Sequence, residues 1–152
     1  MNPQFQSLRP SGAFIGASWA SLAIGMGSYL IGLWNSSMAL NEKGFYATIL
    51  LLGLFAAVSL QKTVRDKMDN IYVTGLYTGI CWVGLGAALL LLAIGLYNAT
   101  FDLSVKGFFG MAYLLSLFAV VTVQKNVRDM SHFPSPSLDG FKGDVLEEAR
   151  VD

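Results

Sequence analysis

Residues Gln61 to Asp66 read QKTVRD, and Gln124 to Asp129 read QKNVRD, 63 positions later; each closes a long apolar stretch. An amide, two cations and a carboxylate within six residues could bind an anion, hold a lipid headgroup or tie two helices together. On a helix, Gln61 and Arg65 share one face, and Lys62 and Asp66 share another at i, i+4. Val64 is then expected to turn toward the neighbouring helices. Cations at a helix C-terminus are favoured by the backbone dipole and by anionic lipid. That accounts for Lys62, Arg65, Lys125 and Arg128 as anchors and headgroup contacts. It leaves Gln61, Asp66, Gln124 and Asp129 as a candidate polar layer linking the two ends.

Other reactive chemistry is sparse. Cys81 is the only cysteine, so the chain cannot form an intrachain disulfide, and its apolar setting suits a small hydrophobe rather than a nucleophile. His132 is the only histidine, which removes the commonest zinc clusters and any histidine-based triad within the apolar segments. Gly84-Leu85-Gly86 lies within an apolar run with no strand before it, so it is no dinucleotide loop. No catalytic residue, metal site or cofactor is expected. Asn35-Ser36-Ser37 and Asn98-Ala99-Thr100 fit the N-glycosylation pattern, but asparagine also ends helices by bonding nearby backbone, the stronger reading. Lys43 and Lys106 could hold an anionic ligand; a place at the headgroup boundary is the simpler role.

The elements that carry these residues are four apolar segments, at about 13–34, 44–60, 73–97 and 107–123, none containing Asp, Glu, Lys or Arg. A hydrocarbon core of about 30 Å needs about 20 helical residues, so each segment is long enough to cross it. Unbroken apolar runs also exclude the alternation of a lipid-facing β-barrel. Of the 152 residues, 54% are hydrophobic and only 13% charged, and the net charge is zero, so nothing favours nucleic acid as a partner. Arg9 and the Ser37-Met38-Ala39 spacing resemble a signal peptide, but the apolar stretch is too long for one and recurs internally, so an uncleaved first span is expected.

Shifting the sequence by 63 residues aligns Ser11–Asp66 with Thr74–Asp129 without a gap, at about two-fifths identity. The chain therefore divides into an N-terminal segment (1–10), a two-helix repeat (11–66), a linker (67–73), a second repeat (74–129) and a flexible tail (130–152). Two spans per unit return the chain to its starting side. The expected fold is all-α: four transmembrane helices as two parallel, same-orientation helix hairpins. Arg9, Lys62, Arg65, Lys67, Lys125 and Arg128 flank the spans on one side, against Lys43 and Lys106 on the other. The positive-inside rule puts both termini and the linker in the cytoplasm. Trp34, Tyr97, Tyr46 and Phe109 suit an outer aromatic belt, Tyr72 and Tyr77 an inner one. Gly12-x-x-x-Gly16 and Gly75-x-x-x-Gly79 have helix-packing spacing, which suits contact between the first and third helices, with a homodimer seam as the other use. Ala17, Ser21 and Gly25 extend the small-residue stripe on the first helix, Gly84 and Ala88 on the third.

With LNEKGFY, LLGLFAAVSLQKTVRDK, GLYNAT and SLFAVVTVQKNVRD in place, residues 11 to 130 resemble the bacterial YiaA/YiaB inner-membrane family, its two-unit members above all. The resemblance implies two-helix units in the inner membrane, and supplies no substrate, catalytic residue or cofactor. The second repeat departs from the first where Glu42 becomes Val105 and Ala39 becomes Asp102. The expected function is that of a non-enzymatic membrane scaffold or stress-associated accessory that self-associates among membrane lipids, its protein partner unnamed. Two readings stand beside it. One is a small-molecule exporter or channel, with Trp19, Trp82 and Tyr29 as an aromatic site. The other is anionic-lipid binding at the four basic hexapeptide residues.

Overall fold

The computed structural model describes residues 10–131. Arg9, His132 and nearly all of the expected N-terminal segment and tail lie outside them. The described residues form four α-helices: α1 (Gly12–Asn35), α2 (Leu40–Met68), α3 (Gly75–Asn98) and α4 (Leu103–Ser131). All four are long and apolar enough to cross a membrane. At 1.5 Å per residue, the 29-residue α2 and α4 run about 43 Å, well beyond a hydrocarbon core of about 30 Å. The hexapeptides occupy the overhang.

The helix ends are set by local chemistry that the repeat copies. Ser11 Oγ accepts the Phe14 N–H at 3.2 Å, and Thr74 Oγ1 accepts the Tyr77 N–H at 3.3 Å, so α1 and α3 start on equivalent side-chain caps. α2 ends in a Schellman motif: Ile71 N–H donates to the Asp66 carbonyl at 2.8 Å and Asn70 N–H to that of Lys67 at 3.3 Å. Asn70 supplies the left-handed residue this needs, with φ 58°. At the other end of the bundle, Glu42 Oε2 accepts the Ala39 N–H at 2.9 Å. In the second repeat the acid moves to Asp102, immediately before α4. The two repeats thus each place one carboxylate at a positive helix terminus, which explains the paired departures at 39/102 and 42/105.

The units do not close on themselves. α1 packs chiefly along α4, and α3 chiefly along α2, each helix leaning on the other unit's second helix. α2 and α4 touch across the centre, while the contacts within each hairpin are slight. In cross-section α2 and α4 form the short diagonal of a rhombus, with α1 and α3 at its far corners. α1 and α3 make no contact, so the expected packing of first against third helix is not formed. A Cβ added to Gly12, Gly16, Gly75 or Gly79 would meet nothing within 4 Å.

Close approach is made by other glycines. A Cβ on Gly25 would sit 2.8 Å from Ser116 Oγ and 3.0 Å from the Ser116 backbone N, because α1 lies directly on α4 there. Its counterpart on α3, Ala88, is fully buried. Gly53 on α2 leaves the space that the Tyr113 hydroxyl fills. Lipid offers little hydrophobic drive for helix association, so such small-residue contacts and interhelical hydrogen bonds must hold the bundle.

An aromatic core fills the half nearest the short loops. Tyr29, Tyr113 and Phe109 are almost wholly buried. The Tyr29 and Phe109 rings meet edge to face at 5.3 Å, a geometry worth about 0.5–1.5 kcal/mol beyond area burial. Tyr29 OH donates to the Tyr46 carbonyl at 3.1 Å and Tyr113 OH to that of Ile49 at 3.2 Å, so neither hydroxyl is left unpaired. The belt assignment therefore divides. Trp34, Tyr97 and Tyr72 are highly exposed, as interfacial residues should be, whereas Tyr46 and Phe109 belong to the core.

Candidate functional site

The polar chemistry of the molecule collects where α2 and α4 overhang. Lys62 Nζ donates to Asp66 Oδ2 at 2.6 Å and Lys125 Nζ to Asp129 Oδ2 at 2.8 Å, the same i, i+4 pair in both repeats. Asp66 holds the Lys62 ammonium above its usual range through that hydrogen bond and its charge. Each aspartate is thus used within its own helix and does not link the units, contrary to the expected polar layer. Arg65 Nε donates to Asp69 Oδ2 at 3.2 Å.

At this end the units are linked through the one hexapeptide position that differs. Asn126 is 1% exposed and its Nδ2 donates to Ser18 Oγ on α1 at 3.0 Å. Thr63, also 1% exposed, lies with its Oγ1 3.6 Å from Cys81 Sγ on α3. Ser18 and Cys81 are repeat counterparts, as are Thr63 and Asn126. Val64 and Val127, by contrast, are exposed rather than turned inward. Sequence reasoning missed this buried pair. The available signal was that both partners change together between repeats, Ser with Asn and Cys with Thr.

Between α2, α3 and α4 a groove of about 390 Å³ opens at this end. Arg65, Lys125 and Arg128 line it with Gln61, while Leu60, Trp82, Leu85 and Val121 form apolar wall. Among the described residues no acidic side chain lines it. Arg65 and Arg128 are repeat counterparts, so the same arginine reaches one groove from both units. Among the described residues Arg128 makes no salt bridge. Its Nε and Gln61 Oε1 are buried without a hydrogen-bond partner, as are Gln124 Oε1 and Asn126 Oδ1. The structure therefore brings together Gln61, Arg65, Lys125 and Arg128; Lys62, Asp66, Gln124 and Asp129 do not line the groove.

The short-loop end is differently built. Lys43 Nζ donates to the Trp34 carbonyl at 2.8 Å and Lys106 Nζ to the Tyr97 carbonyl at 3.2 Å, so both lysines cap the C-termini of α1 and α3. Asn35 and Asn98 each fold back onto a carbonyl four residues earlier, at 2.8 Å. A cavity of about 420 Å³ beside them is lined by Glu42, Asn41, Asn98, Thr100 and the Tyr46 and Phe101 rings. The aromatic site expected of an exporter is not assembled. Tyr29 is sealed in the core, while Trp19 and Trp82 stand half-exposed on helices that do not touch.

Fold and site define a multi-pass helical membrane protein built from two interlocked copies of one two-helix unit. Residues 14–66 and 77–129 each match the yiaA/B two helix domain, and the chain belongs to that family. It is 53% identical over 119 residues to the inner membrane protein YiaA of Escherichia coli (strain K12), covering 78% of this chain and 82% of that protein. It is 32% identical over 59 residues to the uncharacterized membrane protein YubF of Bacillus subtilis (strain 168), covering 38% of this chain and 68% of that one. No solved structure matches the chain.

Proposed function

We propose that the protein is a non-enzymatic scaffold or accessory of the bacterial inner membrane, with both hexapeptides at the cytoplasmic face. The carrying observation is the closed aromatic core of the short-loop half, where Tyr29, Tyr113 and Phe109 fill the space between α1, α2 and α4 and both hydroxyls are bound to backbone. A conduit or carrier needs polar, ionisable or hydrated groups along a path at that depth. Here the charged side chains lie at the helix ends. Outward faces bearing Gly12, Gly16, Gly75 and Gly79 suit association with a second membrane protein, a further copy included. The inner-membrane location rests on the relative of that name and on the apolar helices. The orientation rests on the excess of Lys and Arg at the hexapeptide end.

Crosslinking in native membranes tests this reading. A defined neighbour should be captured through residues on the outward faces of α1 and α3, and proteoliposomes should show no pH- or voltage-dependent flux across a broad ligand panel. Turnover or transport abolished by a change at Gln61 or Arg65 would overturn it.

A further inference from the structure

The groove at the hexapeptide end holds a combination that neither a lipid-facing helix nor a solvated surface requires. Two arginines and a lysine line it beside an apolar wall; Arg65 and Lys125 are paired with Asp69 and Asp129 outside the lining, and among the described residues Arg128 has no carboxylate partner. Surface anchoring explains outward cations such as Lys62, which is 64% exposed and paired with Asp66. It does not explain Arg128, whose buried Nε has no partner among the described residues, nor Gln61, whose buried carbonyl has no donor among them. A buried donor and acceptor left unmade each cost free energy, and a ligand supplying both partners removes that cost.

We propose that this groove is a binding site for an anionic glycerophospholipid whose headgroup carries a free hydroxyl. The phosphate lies among Arg65, Lys125 and Arg128, where guanidinium groups offer forked donors to its oxygens. The headgroup hydroxyl donates to Gln61 Oε1. An acyl chain runs along Trp82, Leu85 and Val121 into the hydrocarbon. The charge complementarity favours lipid over a peptide, because the apolar wall continues on membrane-spanning helices where a soluble partner has no access. The site stands apart from the scaffold reading and does not depend on which side of the membrane the hexapeptides face.

The test uses the full chain with Trp19→Phe and Trp34→Phe, leaving Trp82 as the single tryptophan and reporter. The protein is reconstituted in phosphatidylcholine vesicles containing a minor, equal fraction of one brominated lipid, whose chains quench tryptophan at contact. Brominated phosphatidylglycerol should quench Trp82 several-fold more than brominated phosphatidylcholine. Arg128→Gln with Arg65→Gln should abolish the preference, and Arg128→Lys should keep most of it. Lys62→Gln removes one cation from the α2 end outside the groove and should change nothing. Gln61→Leu should equalise phosphatidylglycerol with brominated phosphatidic acid, which lacks the glycerol hydroxyls. Soluble glycerol 3-phosphate should not relieve the quenching. Equal quenching by the zwitterionic lipid, as expected if another segment of the chain fills the groove, overturns the proposal. So does a loss with Lys62→Gln as large as that with the arginine pair, which marks diffuse attraction only. An unchanged headgroup ratio in Gln61→Leu, or relief by the soluble phosphate, overturns the assignment of the hydroxyl or of the acyl chain.

Discussion

Asn126 on α4 donates to Ser18 on α1 at 3.0 Å, and the counterparts of these two residues, Thr63 and Cys81, meet at 3.6 Å across the opposite interface. The two-fold relation between the repeats is thus drawn at atomic level by contacts that join one unit to the other. An amide–hydroxyl bond across membrane helices averages about 0.6 kcal/mol, while a buried donor left unpaired costs about 1–3 kcal/mol.

Ser18→Ala should therefore destabilise the bundle by about 1 kcal/mol or more, since it orphans the Asn126 amide. Adding Asn126→Leu should restore most of the loss, because the pair is then replaced by apolar groups of similar volume. Denaturant titration of the detergent-solubilised protein measures both. Additive losses in the double variant would mean that the bond is not what holds the two helices in register.

Two glycines on the same helix should behave oppositely. Gly25→Leu drives a side chain into Ser116 of α4 and is expected to cost about 3 kcal/mol or more. Gly16→Leu meets open space and should leave the midpoint of unfolding unchanged. Its effect, if the outward face meets a second molecule, appears in crosslinking yield.

Neither repeat should stand alone. The hairpins touch themselves slightly and each other extensively, so residues 1–66 expressed without 67–152 should be degraded or aggregate. Co-expressed as separate chains, the halves should co-purify and regain the unfolding midpoint of the intact protein to within the loop-closure entropy of the lost linker. Two independently stable halves would contradict the interlocked packing.

Lys43→Met and Lys106→Met should each cost about 0.3–1 kcal/mol by removing the cation from a helix C-terminus, and should leave anionic-lipid preference at the groove untouched. The comparison separates a capping lysine from a binding one.

Orientation is accessible to labelling. In a Cys81→Ala background, cysteines at Asn41 and Ser104 should react with an impermeant reagent from outside intact cells, and one at Lys67 should not. Cys81 itself is 5% exposed and should resist labelling in the folded protein.

Much of this molecule was readable in one dimension. The four spans follow from uninterrupted apolar runs, because a bilayer tolerates only helices and closed barrels, and a barrel strand would alternate. The repeat was legible as identity at a fixed offset, and the Lys62–Asp66 and Lys125–Asp129 pairs as i, i+4 spacing. Helix-internal geometry is local, so spacing determines it. The groove was half visible: the basic residues were evident, yet nothing in their order says that Arg65 and Arg128 open onto one space and Lys62 does not.

Tertiary structure decided which partner each helix takes. The small-residue spacing at Gly12, Gly16, Gly75 and Gly79 is the textual equal of that at Gly25, but only Gly25 faces another backbone. The register of a helix against its neighbours depends on every side chain along both faces, and in lipid no hydrophobic gradient marks the inward face. For the same reason Thr63 and Asn126, the residues that broke the match between the hexapeptides, proved to be the buried ones. Sequence determined the number of spans, their repetition and the charge at their ends; the exchange of helices between the two units, and the groove that exchange creates, exist only once the four helices pack.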